Sequence, residues 1–174
     1  GIREYKISNL NEYTLFEWKT SLLNISWSPD KKYIAAGTQE NAIHFWPYPL
    51  KKEKDFQMGG YPSKVDVILW SEDSKSFIVN GLEDVHIWDF TDGPPFGKSP
   101  RILSCGYGKI IDIVYDGSIL TAASEEGMIF YFMPYQSDQF INIQAIDSKI
   151  TCLGISGTGG DIYVGSKSGD IYCL

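Results

Sequence analysis

Lysine stands directly before an apolar run three times along the chain, as Lys64 before Val65, Lys109 before Ile110 and Lys149 before Ile150. If the runs stack side by side, the ammonium groups form an arc of positive charge suited to an acidic peptide or a small anion. The first such run breaks the pattern with Ser21, although Lys19 is close by. The competing reading is that a solvated position before a strand simply tolerates lysine. Tyr61 and Tyr107 lie in the same approach loops and could add aromatic contact area, since tyrosine is favoured at interfaces. A tyrosine placed there could equally cover the edge of a sheet. Lys64, Lys109, Lys149, Tyr61 and Tyr107 are therefore the candidate partner-binding residues.

No comparable case exists for catalysis or for a bound metal. His44 and His86 are equivalent, each two residues before a tryptophan, but the corresponding later positions are Phe130 and Tyr172. No third ligand type accompanies the two histidines, so they read as strand residues facing a neighbour or solvent and paired with local carbonyls. The stretch Gly154-Ile155-Ser156-Gly157-Thr158-Gly159-Gly160 lacks the Lys-Ser/Thr of a phosphate loop. Thr158 also stands where a nucleophile elbow needs its second glycine, so a hairpin turn is the simpler reading. Carboxylates such as Asp30, Glu72, Asp73, Glu125, Glu126 and Asp161 fall in turns, where they do not converge in a shielded pocket. The expectation is a protein that is not an enzyme, with no cofactor and no metal.

The elements that must position these residues recur with a period of about 43 residues. Leu22 to Trp27, Val65 to Trp70, Ile110 to Tyr115 and Ile150 to Ile155 are versions of one segment. Each unit carries three runs rich in β-branched and aromatic residues, divided by turn residues, which predicts consecutive antiparallel strands. The second and third runs of each unit are Tyr33 to Thr38 and Ala42 to Trp46, Phe77 to Asn80 and Val85 to Trp88, Ser118 to Ala123 and Met128 to Phe132, and Ile162 to Gly165 and Asp170 to Leu174. A weaker fourth strand is expected near Lys54 to Met58, Arg101 to Ser104 and Phe140 to Gln144. No sustained helical period occurs, and Asp92 to Gly97 reads as a loop leading to an outer strand rather than a domain linker.

Composition sets outer bounds. The 174 residues, 43% apolar and 14% aromatic, can bury one substantial core. A net charge of −7 argues against general affinity for nucleic acid or anionic membrane, which require clustered Lys and Arg. Cys105, Cys152 and Cys173 are odd in number and scattered, so they read as buried thiols of a reducing, cytoplasmic compartment rather than a disulfide frame. No apolar run is long enough for a membrane helix and Gly1-Ile2-Arg3-Glu4 is not the start of a signal peptide, although a chain beginning at Gly is compatible with a removed leader.

Ile25-Ser26-Trp27-Ser28-Pro29-Asp30 through Ala42-Ile43-His44-Phe45-Trp46, and Leu69-Trp70-Ser71-Glu72-Asp73 through Val85-His86-Ile87-Trp88-Asp89, resemble blades of the WD-repeat β-propeller family. The resemblance covers essentially the whole chain and fades in the last two units. It also departs from the family pattern. Gly60-Tyr61 and Gly106-Tyr107 stand where a Gly-His pair is usual, and only Trp88-Asp89 keeps the Trp-Asp pair; Trp46-Pro47, Phe132-Met133 and Leu174 replace it elsewhere. Much of the family's polar network is thus expected to give way to aromatic packing. The divergent repeats, including Gln57-Met58-Gly59-Gly60-Tyr61-Pro62, look more similar to bacterial WD-repeat proteins than to eukaryotic scaffolds.

The resemblance implies an all-β propeller region over residues 1–174, divided as 1–20, 21–60, 61–104, 105–144 and 145–174. The first segment is expected to end a preceding blade, and the last to lack its outer strand. Seven blades would need roughly 300 residues, so these four or so are expected to be part of a larger ring. The remaining blades would come from the same protein or from self-association. A closed four-bladed form, with Tyr13 to Trp18 completing the last blade, is the rival expectation. The implied function is a non-catalytic scaffold for protein partners. The alternatives are a structural half of a larger propeller, or a propeller-type enzyme or small-anion module with its site at the channel mouth.

Overall fold

The short β-branched and aromatic runs form strands because the turns between them break any helical period. Ser28 shows how a turn is built. Its hydroxyl donates to Asp30 at 2.7 Å and accepts from the backbone N–H groups of Lys32 and Tyr33, closing the first hairpin. Ser71 and Asp73 repeat the device in the next unit, with a hydroxyl to carboxylate distance of 2.6 Å. The carboxyl of Asp73 is held below its usual range by the Ser71 hydroxyl and the Lys75 amide. Lys31, the fourth residue of the turn that begins at Ser28, takes a left-handed φ of 61°, and Ser74, the fourth of the turn that begins at Ser71, does so at 60°. Short polar side chains and exposed lysines tolerate that conformation at turns.

The computed structural model describes residues 1–50, 54–157 and 160–174, and Thr158 and Gly159 of the glycine-rich turn fall outside them. The described strands are β1 (Ile2–Lys6), β2 (Asn9–Phe16), β3 (Ser26–Trp27), β4 (Tyr33–Thr38), β5 (Ala42–Pro47), β6 (Phe56–Met58), β7 (Ile68–Trp70), β8 (Ser76–Asn80) and β9 (Asp84–Asp89). They continue as β10 (Arg101–Ser104), β11 (Ile110–Tyr115), β12 (Leu120–Ser124), β13 (Met128–Phe132), β14 (Phe140–Ala145), β15 (Ile150–Ile155), β16 (Ile162–Ser166) and β17 (Ile171–Cys173). No helix occurs among the described residues. Every pairing is antiparallel.

Three sheets have four strands, β3-β4-β5-β6, β7-β8-β9-β10 and β11-β12-β13-β14, and are flanked by the hairpin β1-β2 and the three-stranded sheet β15-β16-β17. The innermost strands touch in chain order, β3 against β7, β7 against β11 and β11 against β15. This arrangement is consistent with a β-propeller-like fold. Strand β2 pairs with β1, not with β17, so the last sheet keeps three strands among the described residues. That pairing is not the one that the closed four-bladed form requires.

Each inter-sheet layer has its own apolar core. Ala35, Ile43 and Phe45 meet Phe77, Val79 and Phe90 between the first two four-stranded sheets. Ile78, Val85 and Leu103 meet Ile113, Leu120 and Phe130 in the next layer. The side chains alternate between layers because successive strand residues point to opposite faces.

The first strands of the first two units depart from expectation in an informative way. The sequence predicts strands from Leu22 and from Val65, yet regular pairing starts only at Ser26 and Ile68. Asparagine side chains intercept the ladder. Asn24 Oδ1 accepts the Gly37 N–H at 2.7 Å, and Asn80 Oδ1 accepts the N–H groups of Asp66 and Val67 at 3.0 and 2.9 Å. An amide side chain satisfies these three N–H groups as a backbone partner would. The third and fourth units have regular strands from Ile110 and Ile150.

Candidate interaction surface

The lysines occupy equivalent backbone positions. The carbonyl of Lys109 accepts from the Glu125 N–H and that of Lys149 from the Lys167 N–H, both at 2.8 Å. Ser21 does the same for Gln39 at 3.0 Å, while the Lys64 carbonyl accepts from Asn80 Nδ2 at 3.3 Å. Four approach loops are thereby tied to the ends of four second strands. Because the first strands are neighbours, these loops lie along one rim of the stacked sheets.

Their side chains are not equally free. Lys64 and Lys149 are exposed and form no ion pair among the described residues. Lys109 Nζ instead reaches Asp66 Oδ2 of the preceding unit at 3.0 Å. Lys19, beside Ser21, lies 3.6 Å from Glu40. The rim thus carries two uncompensated ammonium groups separated by a neutralised one, a weaker positive field than three free lysines would give.

The two tyrosines part company. Tyr61 is 7% exposed, and its hydroxyl accepts the Trp88 indole N–H at 2.8 Å. Burial drives its hydroxyl pKa far upward, so it stays neutral. Its ring stacks beside His86 at 5.7 Å, which leaves Tyr61 almost no surface to offer a partner. Tyr107 is 54% exposed and lies over Phe130 at 6.1 Å. In the first unit Trp18 takes the same role over His44, with ring centroids 3.7 Å apart. An aromatic in the approach loop lying on the third strand is therefore common to three units, with Tyr107 the exposed member.

His44 is 2% exposed, and its Nε2 lies 2.9 Å from Asp55 Oδ2. Its partner is a carboxylate rather than the local carbonyl expected. Burial lowers the pKa of both His44 and His86, opposed at His44 by Asp55 and at His86 by Asp84. Among the described residues no group of three or more His, Cys, Asp or Glu side chains could hold a metal ion. The sequence reading also missed the polar links that fix one sheet against the next. Asn24 Nδ2 donates to the Val65 carbonyl at 3.1 Å, and the Leu153 N–H donates to Asp112 Oδ2 at 2.7 Å. A polar residue inside an apolar run was the available signal.

Comparison with known proteins places this geometry. No protein-family model matches the chain. A WD repeat-containing protein 26 homolog from Drosophila melanogaster is 35% identical over 115 residues, which cover 60% of this chain and 18% of the relative. The chain therefore spans less than a fifth of that relative, which is a fly protein rather than a bacterial one. The crystal structure of the computationally designed Ika4 protein superposes with a TM-score of 0.75 at 15% identity, covering 92% of this chain and 94% of that one. The chain is thus similar in part of its sequence to a WD-repeat protein, and it shares almost its whole fold with the designed protein.

Proposed function

We propose that the chain is a non-catalytic protein-protein interaction module built from about four WD-repeat blades of a larger ring, the remainder supplied by the same protein or by self-association. The observation that carries this reading is the rim. Approach loops at equivalent positions in four successive sheets are tied to the second strands, three by backbone hydrogen bonds and that of Lys64 by the Asn80 amide, and present Lys64, Lys109 and Lys149. A rigid surface loses little entropy on binding, and a partly positive rim on a chain of net charge −7 favours an acidic segment of a protein partner over nucleic acid or membrane. The partial likeness to a WD repeat-containing protein supports the same reading. Of the three free thiols only Cys105 is buried as the sequence suggested, its pKa pushed up to about 12 by desolvation, whereas Cys152 and Cys173 lie exposed on the short last sheet; unpaired thiols fit a cytoplasmic location.

The test is affinity capture with the native protein and with the triple variant Lys64→Glu, Lys109→Glu, Lys149→Glu. Loss of the captured proteins, at unchanged thermal stability, is the expected result. Capture of the same set by both proteins would dismiss the lysine rim as the contact surface.

A further inference from the structure

The stretch of rim shared by the second and third units is knitted together from three short segments. The Ser63 hydroxyl, next to Lys64, donates to the Gly81 carbonyl at 3.1 Å. The Leu82 carbonyl accepts the Ile110 N–H, next to Lys109, at 2.9 Å. The Glu83 carbonyl accepts the N–H groups of Cys105 and Gly106 at 3.3 and 3.2 Å. Leu82 is therefore fixed between the two lysine-bearing loops, and Tyr107 stands in the second of them. Both side chains face water, at 43% and 54% exposure. Gly106 and Gly108, with φ of 73° and 79°, hold the turn at Tyr107 in a conformation that other residues adopt only at a cost.

Asp66 joins the same two loops. It lies two residues after Lys64 and reaches Lys109 Nζ of the next unit at 3.0 Å. The repeat itself does not call for an acid there, since the equivalent positions are Leu23, Ile111 and Thr151. The pair also adds little to folding, because its side chains are 35% and 40% exposed and water screens them. The same exposure leaves Lys109 open to a carboxylate arriving from outside.

We infer that Asp66 is a built-in competitor for the partner. The site takes a peptide segment with a carboxylate beside a bulky apolar residue; the carboxylate displaces Asp66 from Lys109, and the apolar side chain covers Leu82 and Tyr107. The inference rests on the interaction-module reading and adds the class of partner and a brake on its binding. Charge complementarity identifies the occupant. An incoming carboxylate keeps Lys109 paired throughout the exchange and gains the field of Lys64, which forms no ion pair among the described residues, while the released Asp66 returns to water. Two other acids set the direction of the segment. Glu83 is exposed beside Leu82, and Glu126 packs so closely on the tyrosine turn that a Cβ at Gly108 would lie 2.7 Å from its Cγ. A second acidic residue on that side meets like charge, so the segment is acidic on one side of its apolar residue and neutral or basic on the other.

The probe is a rhodamine-labelled peptide, Gly-Asp-Asp-Leu-Phe-Lys-Lys-Gly, followed by fluorescence anisotropy. We expect saturable binding that Asp66→Asn tightens about two- to fivefold, the worth of an exposed ion pair. Tyr107→Ser, or Leu82→Ser if the first variant unfolds, should weaken it about fivefold or more. In a Lys109→Met background Asp66→Asn should change nothing, because the competitor has no cation left to hold. An equal gain in both backgrounds would make Asp66 a general repulsive charge and overturn the exchange, as would failure of the peptide to bind. Undiminished binding of a peptide with Ser-Ser in place of Leu-Phe overturns the apolar seat. If Asp66→Asn is without effect while the triple lysine variant still loses its captured proteins, the exchange falls and the module reading stands. If the exchange behaves as expected and capture proves independent of the lysines, the peptide site stands and the lysine rim falls as the capture surface.

Discussion

Gly37→Ala is a one-methyl change with a large expected cost. Gly37 sits buried in β4 among buried neighbours, and its φ is not left-handed, so alanine meets no backbone strain of its own. The difficulty is space. A Cβ there would lie 2.9 Å from Asn24 Oδ1 and 3.2 Å from the Val65 carbonyl carbon, with the Val65 oxygen well inside contact. Ordinary carbon to oxygen approaches are about 3.3 Å or more, so the two sheets must part by on the order of an ångström. Neither obstacle is a flexible tip. Val65 O is backbone and accepts from Asn24 Nδ2 at 3.1 Å, while Asn24 Oδ1 accepts the Gly37 N–H at 2.7 Å. Parting the sheets therefore adds the loss of one or two buried hydrogen bonds, about 1 kcal/mol each, to overpacking of about 1–3 kcal/mol. The sum is about 2–5 kcal/mol, or roughly 4–20 °C in Tm for a chain of this size. Urea unfolding followed by tryptophan fluorescence measures it. Gly59→Ala is the internal control, since nothing lies within 4 Å of a Cβ there and its φ is not left-handed, and its effect should stay within about 0.5 kcal/mol. A loss below about 1 kcal/mol at Gly37 would show that the layers slide apart freely and that close backbone approach does not fix their spacing.

Two further outcomes follow from the approach loops. Tyr61→Phe keeps the ring but removes the acceptor for the Trp88 indole N–H, so stability should fall by about 1–2 kcal/mol in urea titrations; no loss would place that N–H in contact with water. Burial lowers the pKa of His44 and His86 in the folded protein, so the unfolded chain binds more protons as the pH falls through the ordinary value of 6.5. The stabilisation is present above that value and lost as pH drops toward the folded pKa values. Tm should therefore be lower at pH 5.5 than at pH 7.5 in scanning calorimetry, and His86→Phe, which copies Phe130 of the third unit, should flatten the dependence; an unchanged slope would assign it to other groups.

Much of the fold was legible because strand identity is local. Tyr33–Thr38, Ile110–Tyr115, Met128–Phe132, Arg101–Ser104 and Ile150–Ile155 match the runs read from β-branched and aromatic content. The first strands of the first two units were misjudged because Asn24 and Asn80, distant in sequence from the groups they bind, replaced ladder partners that the pattern alone assumes. The rim was half legible. The spacing of Lys64, Lys109 and Lys149 located three equivalent backbone sites, but it carried no information about Asp66, which lies 43 residues before Lys109 and neutralises it. Tyr61 and Tyr107 look alike in the chain, yet one is buried under an indole donor and the other is exposed.

The sequence by itself determined the period, the antiparallel strands and the positions of the turns, since each depends on residues within one hairpin of one another. Only the tertiary structure decided which faces are covered. Ile25 and Trp27 read identically to Ile68 and Trp70, and the first pair is exposed while the second is packed. The difference lies in the neighbouring sheet, which presents two described strands to the first pair and four to the second. Burial is a property of what stacks on a strand, and that is written nowhere in the strand itself.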